Sequence, residues 1–374
     1  MDAIQKLNVI VHRRKRAQRV IACLDASDDD IEWITVKGMH IPLKDGKAVG
    51  GPEELRGQNF TQSESTSESG KPDYYRPHHS GGDVSNQAKF RNRFVSDEDR
   101  AQTRKDVQTY LKGWMYNFDG DRKSCVALGK YLNDTISERF KLRKKNKDLD
   151  AGISNPQVED IYDVLRDVRD FGAPKSFEEK YEVNSDISGE DTSKILKEAF
   201  DRYPTDWYNN LDDYGGKVKI RIIDSPGRAC YNELSNSIVI FAREDDWLGK
   251  NPDGTNKKTG NRRLANELVH EMGHYMEAHN SVIRSMAQRV LEERTKDSEN
   301  EPLEPGYETK PDKFFTTYMG KQYYWGDTEI TSCLMEHLGY IDPANVMRGK
   351  TGCWLPDPES YKFILGMLIG TERW

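Results

Sequence analysis

The segment His270-Glu271-Met272-Gly273-His274 holds the residues best suited to chemistry. Leu264, Leu268, Met272 and Met276 recur every four residues around it, and this spacing predicts a helix. On a helix, residues i and i+4 share a face, so His270 and His274 can offer both imidazoles to one tetrahedral Zn²⁺. Glu271 projects beside them, where its carboxylate can take a proton from a water on the metal. A catalytic zinc also needs a third protein ligand and an open position for that water. A three-histidine site would need Gly and His at fixed later steps, but positions 277 and 280 are Glu and Asn. His279 follows His274 by five residues, which turns it from the metal face and predicts a surface histidine.

The third ligand is expected from the segment Trp325–Leu338. Gly326 with Asp327 or Thr328 can start a helix, and Glu329 opens its first turn. Glu329, Cys333 and Glu336 then fall on one face at i, i+4 and i+7. Glu329 is the expected ligand, and Glu336 the carboxylate that orients a histidine from behind. Cys333, Glu336 and His337 are the alternatives for the third position. Two imidazoles and a carboxylate suit zinc. Tyr318, Tyr323 and Tyr324 precede this helix, and Tyr324 is the expected donor to the oxyanion of a tetrahedral intermediate.

Three short strands stand just ahead of the histidine segment: Val218–Ile222, 227–232 and 237–241. The last is expected at a sheet edge, where an extended peptide could add a strand. Further upstream, helices are expected over 97–146 in two pieces, over Val158–Val168 and over Lys194–Phe200. Residues 1–51 divide into a short helix over 1–30, with the basic run Arg13–Arg16, and a small β element that turns at Asp45-Gly46. Residues 52–96 read as a flexible linker, because Gln62–Gly70 contains no apolar residue to offset the entropy of ordering it. His78-His79 falls in that linker and reads as a solvated loop. The expected division is 1–51, 52–96 and 97–374, the last comprising a helical subregion 97–216 and a catalytic core 217–374.

Composition excludes several classes. Of 374 residues, 35% are hydrophobic and 32% charged, and the apolar run Phe363–Gly370 is far short of a bilayer span. No membrane partner is expected. The net charge of −7 argues against nucleic acid as the main partner. Five scattered cysteines without a CxxC motif predict no disulfide framework. The opening Met1-Asp2-Ala3-Ile4 lacks the pattern of an export leader, so a cytoplasmic setting is expected.

From Val218 onward the chain resembles the zincin-like metallopeptidase domains encoded by phages and prophages, often beside or fused to head-morphogenesis proteins. The resemblance lies in Arg228-Ala229-Cys230-Tyr231, Glu267–His274, Tyr318-Met319-Gly320-Lys321, Thr328–Ser332, and Asp357-Pro358-Glu359 followed by Phe363-Ile364-Leu365-Gly366. Trp33–Leu43 with Val49-Gly50-Gly51 is similar to a short module of phage structural proteins. Residues 97–200 carry none of it. The resemblance implies an α+β, gluzincin-type fold with His270, His274 and Glu329 on one zinc and Glu271 as base. It also implies a phage or prophage context, in the bacterial cytoplasm or the virion, with head or other virion proteins as partners of the front module. The expected function is a zinc-dependent endopeptidase acting on a peptide or protein. The rivals are a virion structural or cargo protein with an idle zincin fold, and a virion-delivered metalloprotease toxin.

Overall fold

A computed structural model describes residues 95–114, 122–146, 155–209, 211, 217–244, 251, 253–304, 307–310, 314–323, 327–339, 346 and 356–371, with the backbone of three strands between 31 and 48. The expected helix over 1–30, His78-His79, the linker up to residue 94, and Tyr324 lie outside the described residues. The chain divides into two compact units, Met1–Gly70 with Pro226–Arg228, and Lys71–Ser225 with Ala229–Trp374. In the first, β1 (Ile31–Val36), β2 (Met39–Lys44) and β3 (Lys47–Ala48) form an antiparallel meander, with Ile34 opposite Ile41 and Leu43 opposite Ala48.

The second unit is α+β. It opens with α1 (Asp97–Trp114), whose start is capped by Ser96: its hydroxyl accepts from the Asp99 N–H at 3.1 Å. Next come α2 (Arg122–Lys145) and α3 (Val158–Arg166), which bury Leu128, Leu132, Ile136, Ile161 and Leu165. A buried quartet ties the three helices together. Asp167 meets Arg100 at 2.7 Å and Arg139 at 2.6 Å, and both arginines also reach Asp163.

The region expected to be helical also supplies a strand. After the single turn α4 (Phe177–Lys180), β4 (Tyr181–Ser185) alternates buried and exposed residues. Helix α5 (Gly189–Phe200) then crosses back to β5 (Val218–Pro226), which pairs with β4 in parallel. The sheet is completed by the hairpin of β6 (Cys230–Asn232) and β7 (Ser237–Arg243), with Tyr231 opposite Ile238. Its order is β4-β5-β7-β6. The strand expected at the edge is therefore interior: β7 lies between β5 and β6, and the free edge on that side is the short β6. The run Ile238–Ala242 suits a strand flanked on both sides, and Ile238, Ile240, Phe241 and Ala242 are all buried.

Helix α6 (Asn261–His279) carries the histidine segment, and Asn280 turns the chain into α7 (Ser281–Thr295). The Asn280 side chain makes that corner by accepting from the N–H groups of Val282 and Ile283, each at 3.0 Å. A two-stranded ribbon follows, β8 (Glu301–Glu304) with β9 (Tyr307–Thr309), and then α8 (Ile330–Gly339) and α9 (Pro358–Gly370). α6 and α8 meet at Gly273, where an added Cβ would stand 2.6 Å from the Ser332 Cα. Only glycine lets the two backbones approach so closely. Among the described residues, no helix is long and apolar enough to cross a membrane. Among the described residues, Cys125, Cys230 and Cys333 form no disulfide.

Candidate metal centre

Helix α6 turns one face toward α8. On it, His270 and His274 lie one turn apart, with ring centroids 5.0 Å apart and planes inclined by 72°. Glu329 arrives from the other side. It does not open the first turn of α8, as the spacing predicts, but immediately precedes it, and its carbonyl accepts from the Cys333 N–H at 3.2 Å. One carboxylate oxygen, Oε2, lies 3.4 Å from His270 Nε2 and 3.1 Å from His274 Nε2. Donor atoms each about 2.0–2.2 Å from a tetrahedral zinc stand about 3.3–3.6 Å from one another. The three side chains offer the donor chemistry for a small divalent cation, and the two histidine–Glu329 separations lie near that range; the donors that all lie within 4.8 Å of one another are those of His270, Glu329 and Cys333.

The Glu329 side chain is fully buried, and a carboxylate there must be compensated. The Tyr323 hydroxyl donates to its Oε1 and the Ser332 hydroxyl to its Oε2, the latter at 2.9 Å. Burial pushes the Glu329 carboxyl upward, but His274 and the hydrogen bonds from both histidines outweigh it and hold it well below the usual range. The histidines answer in kind. Burial lowers His270, yet its hydrogen bonds to Glu329 and Glu336 raise it well above an ordinary imidazole. Burial likewise lowers His274, and the Glu329 charge overcomes it.

Glu336 accepts from His270 Nδ1 at 2.8 Å, and its other oxygen accepts from Asn266 Nδ2 at 3.2 Å. Burial raises the Glu336 carboxyl, but the bond to His270 prevails and keeps it low. With Nδ1 so engaged, His270 presents Nε2 to Glu329. Glu271 is buried beside the pair. Burial raises its carboxyl against the pull of both histidines.

The other candidates separate clearly. Cys333 is buried, with its sulfur and donor atoms of His270 and Glu329 all within 4.8 Å of one another. Burial and the charges of Glu329 and Glu336 push its thiol well up. His337 instead packs edge-on against Phe315 at 4.6 Å, and burial lowers it to about 4. His279 is not a surface histidine. It is buried, its ring 4.7 Å from that of Tyr275 and its Nε2 2.7 Å from the Tyr231 hydroxyl, because the short β6 folds over the end of α6. Tyr318 receives Lys321 Nζ at 3.3 Å.

Four residues that position the centre go unmarked as such by the sequence: Tyr323, Ser332, Asn266 and Glu277. Asn266 had a signal, since it precedes His270 by four on one helical face. Glu277 had one too, a carboxylate one turn beyond His274. It is almost fully buried and accepts from the Thr328 N–H at 3.1 Å, the Thr328 hydroxyl at 2.9 Å and the Thr331 N–H at 3.0 Å. Burial lifts its carboxyl to about 7, against His274 and these hydrogen bonds.

Comparison of the chain with protein-family models, curated proteins and solved structures finds no match.

Proposed function

We propose that this chain is a zinc-dependent endopeptidase with a zincin-type core of gluzincin arrangement. One observation carries the reading: His270 Nε2 and His274 Nε2 converge on one oxygen of Glu329 at 3.4 and 3.1 Å, with Glu271 beside them. Zinc held there would lower the pKa of a bound water and polarise the carbonyl of a peptide bond. His270, His274 and Glu329 would hold the ion, and Glu336 accepts from His270 Nδ1 and so fixes its ring. Glu271 takes the water proton and passes it to the leaving amine. Burial raises its carboxyl, the direction that lets it hold a transferred proton. An extended peptide would lie along β6, the free edge strand beside β7. The phage or prophage setting, with virion proteins as partners of residues 1–51, is proposed on the sequence resemblance alone.

A specific observation favours a second reading, an idle fold within a virion protein. The Cys333 sulfur lies within 4.8 Å of donor atoms of His270 and Glu329, where its thiolate would serve as a further ligand. Four protein ligands would close the site to water.

Elemental mass spectrometry of the purified chain and of Glu329→Ala tests the centre. One zinc per wild-type chain and its loss in the variant is the expected result; a folded wild type that takes up no offered zinc removes the proposal. Glu271→Gln separates the two readings. It should keep its zinc while cleavage of an unstructured protein such as casein falls about 100-fold or more. Cleavage by Glu271→Gln at the wild-type rate would end the peptidase reading.

A further inference from the structure

We infer that Glu277 is a positioning residue that sets the third metal ligand in register with the first two. The inference rests on the zinc reading above and extends it to a residue outside the ligand set. Both histidines stand on α6, whereas Glu329 stands at the start of α8, far away in sequence. Something must fix the phase of one helix against the other, because an error of about 1 Å in a ligand matters to a metal site.

Glu277 does this from the histidine helix itself, one turn past His274. Its carboxylate takes the backbone N–H and hydroxyl of Thr328 and the backbone N–H of Thr331. The Thr331 N–H belongs to the first turn of α8, where the helix has no internal acceptor to offer. The Thr328 hydroxyl in turn accepts from the Ile330 N–H at 3.1 Å. Glu329 is thus bracketed, with residues on both sides tied to one carboxylate of α6. A helix start is ordinarily capped by a residue of its own segment; here a neighbouring helix takes part, and it is the helix that bears the other ligands. A buried carboxylate is costly unless hydrogen-bonded, and Glu277, 1% exposed, spends its acceptors on this one junction.

The test measures metal binding rather than turnover. Zinc dissociation constants of wild type, Glu277→Gln and Thr328→Val are obtained by competition with a chromophoric chelator, and cobalt(II) is substituted to record its visible bands. Far-UV circular dichroism reports folding. Leu132→Ala in α2, an element that supplies no residue to the centre, serves as a variant of lowered stability. Glu277→Gln should remain folded, bind zinc about 10- to 100-fold more weakly and show altered cobalt bands, while Leu132→Ala binds as wild type. A folded Glu277→Gln with wild-type affinity and bands overturns the inference and leaves the zinc centre standing. Should Glu277→Gln fail to fold, Thr328→Val decides: weaker zinc binding supports the role, and unchanged binding overturns it. A wild type that binds no zinc overturns the zinc reading and this inference with it.

Discussion

Tyr323 shows how much one side chain can do for the centre without touching a substrate. Its hydroxyl is committed to Glu329, and its ring lies 5.0 Å from the buried Lys321 ammonium, which also faces the rings of Tyr307 and Tyr318. An ammonium over an aromatic face is attracted to it, and this holds the ring in place. Tyr323→Phe should therefore weaken zinc binding about 10-fold, as read by chelator competition, because one oxygen of a buried carboxylate loses its donor. Turnover that falls with zinc affinity unchanged would instead put the phenol on the substrate side. The placement of His270, Glu271 and His274 on one helix was legible because a four-residue spacing is a local property. The bond from Tyr323 to Glu329 was not, since no spacing in the sequence announces a contact between a loop tyrosine and a buried carboxylate. The burial of His279 depends similarly on β6, three residues long and not deducible from α6.

At the scale of elements, the junction of α6 with α8 is the most demanding contact. Gly273→Ala would set a Cβ 2.6 Å from the Ser332 Cα and 2.8 Å from its nitrogen. The helices must separate, and Ser332 and Glu329 move with α8. The variant should lose about 1–3 kcal/mol of stability in a urea titration and bind zinc weakly, whereas the same exchange at an exposed helical site would be benign. The sequence displayed the individual helices well, since Leu128, Leu132 and Ile136, or Ile195, Leu196 and Phe200, repeat on one face. It displayed the sheet less well. β7 reads as an edge only while the position of β5 is unknown, and β4 was hidden because Tyr181–Ser185 holds just two apolar side chains. Strand order follows from long-range pairing, which no window of residues contains.

For the whole molecule, the proposed centre would link folding to pH and to metal. Burial lowers both histidines, but Glu329 and Glu336 more than reverse it, so the folded chain holds their protons more tightly than the unfolded one. The stabilisation this gives to the metal-free protein is complete below the ordinary histidine pKa of about 6.5 and fades as pH rises through the raised folded values. Zinc needs both imidazoles without protons. Thermal melts at a series of pH values should show Tm of the metal-free chain falling on the alkaline side. The gain from added zinc should grow over the same window. A zinc gain independent of pH would mean that these histidines are not the ligands. At saturating zinc the gain reaches about 4 kcal/mol when free metal exceeds Kd a thousandfold.

Glu329 stands immediately before α8, and this placement has an electronic consequence. The peptide dipoles of a helix align and leave a partial positive charge at its amino end. A carboxylate at that end is stabilised as an anion by the helix itself. It is then a weaker donor to a cation than a carboxylate in open water, and an ion it holds keeps more of its own charge. The fold would in this way favour a more strongly electrophilic metal through the direction in which one helix runs.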